Sequence, residues 1–325
     1  MKKFIKENKL YLITMLLIVV IANIRLPYYV DAPGGIIDIS DRIVVDNRTE
    51  YKGSLNMLYV TQYQATVPIY LMSYLLKDWD LESIEESQIS NESYQEIDMR
   101  NKIMLNNSIA NATYVAYNAA GKKIETKNIK YLVLATLKED TPIKIGDEIL
   151  EINGTKVESL DTIKKAIDSH NVGDTLILKI KRNNKEQELS IKLDEINGAK
   201  ALGIIVMTNY EYETDPEITL KFRGSESGSS GGLMMSLSIF SAISGQDILK
   251  GRNIAGTGTI DIDGTVGPID GIKYKIMGAV KNNMDIVLVP SGNYKEAKEV
   301  VKDKNYDIEL VEIKTFKDAI DYLLK

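Results

Sequence analysis

The run FRGSESGSSGGLMMSLSIFSAISG, residues 222–245, joins a loop of glycines and serines to an apolar, helix-like stretch that opens near Gly231. A serine at such a junction can act as a nucleophile beside main-chain N–H groups. At a helix N-terminus these groups lack intrahelical partners and can hold an oxyanion. A flexible linker and an anion-binding loop are equally open readings of the same composition. A nucleotide P-loop is not, because no Gly-Lys-Ser/Thr follows here or elsewhere in the chain. The absence of cysteine removes thiol catalysis, thiolate metal sites and disulfides. The one histidine, His170, lies in DSHNVGD, at the end of a predicted helix. A His-rich metal site is therefore excluded, and a surface helix terminus accounts for this residue.

A second segment, IAGTGTIDIDGTVGPIDGIKYKIMGAVKNNMDIVLVPSGN, reads as strand, Asp263-Gly264 turn, strand, a helix opening near Ile272, and the strand DIVLVP. Together the two segments resemble the proteolytic domain of the Lon proteases. In that family a helix-starting serine in a Gly-x-Ser-x-Gly sequence pairs with a lysine. Gly228-Ser229-Ser230-Gly231-Gly232 matches this motif and gives Ser230 as the nucleophile. Thr257-Gly258-Thr259-Ile260 matches the Thr-Gly-x-Ile strand, whose threonine helps hold the lysine. The run Pro268 to Lys275 matches Pro-x-Gly-Gly-x-x-x-Lys and gives Lys275 as the base. YDIELVEIKTFKDAIDYLL matches the closing strand and helix.

The neighbouring Lys273 lies about 200° away around a helix, so the two lysines cannot both face the serine. The resemblance selects Lys275. Three departures from the family pattern stand out: Ser227 replaces an acidic residue, with Glu226 beside it; Asp270 replaces the first glycine of the pair; and Gly231 replaces an alanine. Ser229 is a secondary candidate for the nucleophile, and Ser225 and Ser227 read as polar loop residues. A lysine base must be neutral at working pH, so the resemblance implies a pKa far below the usual ~10.4. Burial and the Thr257 hydroxyl would supply this, with N–H groups near Ser230 and Gly231 as oxyanion donors.

The elements that carry these residues are preceded by two further regions. Lys2, Lys3, Lys6 and Lys9 precede a largely apolar run from Leu10 to Ile24, which extended past Arg25 to Leu26 reaches the lower limit of ~17 residues for a spanning helix. The charge order predicts a cytoplasmic N-terminus and an exported bulk. A cleaved signal peptide ending near Ala22 is the other reading, and it also exports the protein. Residues 27–112 read as short strands and helices with no chemistry, a scaffold between membrane and catalytic part. In residues 113–194, TYVAYNAAG is a helix closed by Gly121, and YLVLATL is a strand. IKIGDEILEINGTKV turns at Asn153-Gly154, SLDTIKKAIDSH is a helix, and a hairpin turns at Asn183-Asn184. This region resembles a PDZ domain, which takes an extended peptide as an added strand. The family's small apolar carboxylate-binding loop is expected before YLVLATL, where KKIETKNIKY stands instead.

The expected fold class is α+β, in five parts. These are a basic segment 1–9, a transmembrane anchor 10–26, a membrane-proximal scaffold 27–112, a PDZ-like domain 113–194 and a Lon-type proteolytic domain 195–325. The net charge of −6 argues against a nucleic-acid partner. With no Walker motif, the whole resembles the exported, ATP-independent Lon-like proteases of Gram-positive bacteria. That resemblance implies no cofactor or metal, unfolded or membrane-proximal protein substrates, and assembly into a hexameric ring. A non-catalytic PDZ adaptor or assembly protein with a structural Lon-type domain is the alternative.

Overall fold

The computed structural model describes residue 4 and residues 7–46, 50–89 and 92–325. Of the basic segment 1–9, residues 1–3 and 5–6 lie outside these. Helix α1 (Lys9–Ala22) carries the apolar run and buries none of its residues. It is shorter than the expected span to Leu26. The Asn23 side chain bonds the Val19 carbonyl at 2.7 Å, and Arg25 already belongs to a strand. Fourteen residues rise about 21 Å, against roughly 30 Å of bilayer core. No helix among the described residues is long and apolar enough to cross a membrane.

Strand β1 (Arg25–Asp38) begins a chain of elements that includes β2 (Ile43–Val45), β3 (Ser54–Thr66), α2 (Val67–Ser73), β4 (Asp80–Ser83), the single turn α3 (Ile84–Ser87) and the long α4 (Tyr94–Ala119). Helix α4 starts on a capping box, with the Ser93 hydroxyl accepting from the Glu96 N–H and the Glu96 carboxylate accepting from Ser93. It ends before Gly121, whose positive φ of 62° turns the chain away.

The next unit holds β5 (Lys123–Thr136), β6 (Glu148–Ile152), β7 (Thr155–Lys156), α5 (Leu160–Asp168), β8 (Thr175–Arg182), β9 (Lys185–Lys192), β10 (Asp194–Ile196), β11 (Ala199–Ala201) and β12 (Ile204–Asp215). Its sheet runs β12-β5-β6-β8-β9, with β7 paired to β6. The hairpin tips have the left-handed residues that the sequence predicts, Asn153-Gly154 and Asn183-Asn184. Its core is separate, built on Val133, Ile149, Ile163, Leu176, Leu178 and Ile180.

The remainder is β13 (Ile218–Leu220), α6 (Gly232–Ser244), β14 (Asn253–Gly256), β15 (Thr259–Ile260), β16 (Val266–Gly267), α7 (Ile272–Lys281), β17 (Ile286–Pro290), α8 (Ser291–Lys304), β18 (Glu309–Ile313) and α9 (Phe316–Leu324). The main sheet has the order β18-β17-β14-β3-β1-β4. Its inner strand β17, IVLVP, is buried at every position, as a parallel strand covered on both faces requires. Helices α4, α6 and α9 cover one face around Leu105, Leu233, Leu237 and Phe316. Helices α7 and α8 cover the other around Leu58, Ile272, Ile276 and Val289.

This arrangement corrects the expected division. Residues 27–112 are not a separate scaffold, because β3 pairs in parallel with β14 from Ser54↔Asn253 to Met57↔Gly256. Half of the sheet that carries the C-terminal elements therefore comes from before the PDZ-like unit, which interrupts the larger fold. A boundary at 113 cuts through α4, and one at 195 separates β12 from its partner β5. Those two pair from Ile204↔Thr136 to Asp215↔Lys123.

Candidate active site

The loop before α6 is held from several sides. Its Gly228 N–H donates to the Asn101 carbonyl at 3.0 Å, and the Ser108 hydroxyl donates to the Ser229 carbonyl at 3.1 Å. The Ser230 carbonyl accepts from the Gly258 N–H at 2.7 Å and from the Thr257 hydroxyl at 3.0 Å. Gly232 and Leu233 donate their N–H groups to the carbonyls of Ser229 and Gly258. The N–H groups of Ser230 and Gly231 stand outside this set, at the start of a helix, where such donors are available to an anion. A chain so pinned keeps Ser230 in one place rather than behaving as a linker.

Gly231 has a local reason. A Cβ there would lie 2.0 Å from Sδ of Met57 on β3, so the methionine fills the space of the family's alanine methyl. Ser230, Gly231 and Met57 line one cleft of about 820 Å³ with Val60, Asn101 and Phe222. Ser225 and Ser227 also face it, whereas Ser229 does not line it. Glu226 is occupied, since its carboxylate pairs with Arg42 at 2.6 Å and accepts the Arg223 N–H at 2.6 Å.

The two lysines separate clearly. Lys273 reaches Asp80 on β4 at 2.6 Å, and the Tyr274 hydroxyl donates to the same carboxylate. Lys275 is 3 % exposed and pairs with no carboxylate at ion-pair distance among the described residues. Burial pushes its pKa down to about 8, opposed by the field of the Asp270 carboxylate. A group buried in this way is partly neutral near neutral pH. Thr257, fully buried, was expected to hold the lysine, but its hydroxyl bonds the Ser230 carbonyl. Among the described residues no hydrogen bond joins the Ser230 hydroxyl to the Lys275 amine. Their helices share β3 as a neighbour. Met57 lies against Gly231, and Val60 lies against Gly271, which precedes α7.

His170 sits at the end of α5, where Nδ1 lies 2.8 Å from the Ala166 carbonyl and Nε2 lies 3.3 Å from the Asn153 amide. In the PDZ-like unit, KKIETKNIKY is no loop but part of β5, paired along its length with β12. The sheet's two edges are β9 and β12, the latter beginning after Leu202-Gly203, with Gly203 at a φ of +76°. At that strand's start Leu202 is buried and the Gly203 carbonyl accepts from the Leu137 N–H at 2.8 Å. Further along β12, Asn107 on α4 donates to the Thr208 carbonyl at 2.8 Å.

Residues 224–325 match the C-terminal proteolytic domain of Lon protease (S16), and residues 122–193 match the PDZ domain. The Lon protease of Mesomycoplasma hyopneumoniae is 33% identical over 98 residues, which is 30% of this chain and 11% of that one. The Lon protease of Campylobacter jejuni is 33% identical over 98 residues, 30% of this chain and 12% of that one. The chain thus spans only about a tenth of these curated relatives. The crystal structure of the PDZ domain of the SdrC-like protein from Listeria innocua is 38% identical, covering 24% of this chain and 92% of that one, with a TM-score of 0.22. The chain therefore carries a Lon-type (S16) serine-peptidase domain, which contains Ser230, Thr257 and Lys275, together with a PDZ domain.

Proposed function

We propose that the protein is a membrane-attached serine endopeptidase that works without ATP, with Ser230 as nucleophile and Lys275 as base. The observation that carries this reading is Lys275 itself, a lysine buried to 3 % exposure whose pKa falls to about 8, in the domain that contains Ser230. An ammonium that is merely structural gains little from such a site, whereas a general base needs it. Neutral Lys275 takes the proton of the Ser230 hydroxyl as the oxygen attacks the scissile carbonyl. The oxyanion is received by the N–H groups of Ser230 and Gly231. The ammonium then returns the proton to the departing amine, and water hydrolyses the ester by the same base. In resting peptidases the bond between base and nucleophile is often long, and it tightens only with substrate in place.

Attachment rests on α1, which is apolar on all sides and buries no residue. The lysines before it favour a cytoplasmic N-terminus and an exported peptidase. Substrates are unfolded or membrane-proximal polypeptides, which the PDZ-like unit takes as an added strand at an edge of its sheet. Independence from ATP and assembly into a hexameric ring are what the resemblance to exported Lon-like proteases implies. The test is cleavage of an unstructured protein such as casein by the full chain in detergent, compared with Ser230→Ala. Loss of cleavage in the variant supports the reading. No cleavage by the wild type at any pH from 7 to about 10 would favour the adaptor role.

A further inference from the structure

Helix α2 is built inside out. Its sequence is VPIYLMS, yet the one residue it buries is Ser73. Leu71 is 58 % exposed, and the chain continues into Tyr74 and Leu75, the latter 83 % exposed. A patch of this kind on a soluble surface would be a liability unless something covers it. What covers it is indicated by its neighbour. Strands β1 and β3 pair at Arg25↔Thr66, so α1, which precedes β1, and α2, which follows β3, emerge side by side from one end of the hairpin and touch. Helix α1 is apolar on every face and buried on none. A docking protein or second copy would cover one side of it, whereas lipid surrounds it.

A group of aromatic rings lies at the base of both helices. Tyr70 packs between Tyr28 and Tyr74 at centroid distances of 5.5 and 5.4 Å, and Tyr63 stacks on Trp79 at 5.9 Å. Tyrosine and tryptophan with one apolar and one wet end suit the level of lipid headgroups. Exposed Lys77 beside them is placed to meet anionic headgroups.

We propose that α2 and the following Tyr74-Leu75-Leu76 form a second membrane contact, lying in the interface beside α1 and fixing the height of the active cleft. The proposal rests on the membrane attachment given above. Met57 and Thr66 stand at the cleft end and the membrane end of β3, nine steps apart in sequence. The cleft is therefore held at most roughly 30 Å above the headgroups. The substrate class this geometry favours is a polypeptide whose extended segment lies within about ten residues of its own membrane anchor.

Trp79 is the single tryptophan of the chain and so a native probe of this contact. The full chain is reconstituted into vesicles of phosphatidylcholine and phosphatidylglycerol, with part of the lipid brominated near the headgroup end of its acyl chains. Flotation with the vesicles tests attachment through α1, and quenching of Trp79 emission tests the second contact. The expected result is co-flotation with loss of most of the Trp79 emission. In Leu71→Asp/Leu75→Asp, co-flotation persists while the quenching is largely lost. Both substitutions are at exposed positions and leave the far-ultraviolet circular dichroism unchanged. Co-flotation without quenching, or equal quenching in the double variant, overturns the proposal and leaves attachment standing. Failure to float removes the attachment and the proposal with it. Concentration-dependent crosslinking through the patch, without quenching, would assign it to a second copy instead.

Discussion

Thr257 and Ser230 are joined directly: the buried threonine hydroxyl donates to the serine carbonyl at 3.0 Å, next to the Gly258 N–H at 2.7 Å. Two donors on one carbonyl fix the peptide between Ser230 and Gly231, and so fix the direction of the Gly231 N–H offered to an oxyanion. Thr257→Val keeps the shape and removes one donor. The expected result is a stability loss of about 1 kcal/mol by denaturant unfolding. A fall in kcat with little change in KM should accompany it, with recovery in Thr257→Ser.

Burial of Lys275 has a signed consequence for stability. Its folded pKa of about 8 lies below the unfolded value of ~10.4, so between those values the unfolded chain binds more protons. Stability contributed at this site therefore rises as pH increases through that window, and the burial penalty is complete below it. The full penalty is of the order of 3 kcal/mol. Lys275→Met should be inactive yet at least as stable as the wild type at pH 7, with the gap closing towards pH ~10. Urea unfolding across this range checks it. A variant much less stable at pH 7 would mean that the ammonium is held by favourable contacts.

Met57 and Gly231 form a packing pair, with Sδ only 2.0 Å from where a Cβ would stand. Gly231→Ala alone should destabilise by about 1–3 kcal/mol through overpacking and should lower activity. Met57→Ala combined with Gly231→Ala should recover part of both. A double-mutant cycle measures the coupling, and strict additivity would show that the two residues do not compete for the same space.

Lys273 serves as a control for the choice of base. Its ion pair with Asp80 is partly exposed and is worth about 0–1 kcal/mol. Lys273→Ala should keep kcat within roughly two-fold, which corresponds to a few tenths of a kcal/mol. Steady-state kinetics would reverse the assignment if this variant were inactive and Lys275→Met were not.

The local chemistry was legible in the sequence because its signals are local. Ser230 opens a helix after a glycine-rich loop, and Lys275 follows Pro268 at a fixed spacing. Three other features depend on partners distant in the chain. Ser54 and Asn253 bond across 199 residues, so nothing near β3 announces that it belongs to the peptidase sheet. The end of α1 at Ala22 follows from Asn23 and from the pull of Arg25 into pairing with Thr66, which hydropathy does not register. The edge position of β12 depends on its pairing back to β5, from Ile204↔Thr136 to Asp215↔Lys123, which no local pattern announces. Thr257 was identified as a supporting residue, but its partner proved to be the nucleophile's own carbonyl.

The most direct test of the Ser230–Lys275 pair is the rate of labelling by a fluorophosphonate as a function of pH, with the modified residue located by peptide mass spectrometry. Phosphonylation of Ser230 alone is expected, with a rate that rises with pH through about 8 and is lost in Lys275→Met. Labelling at Ser229, or a rate unchanged by Lys275→Met, would contradict it.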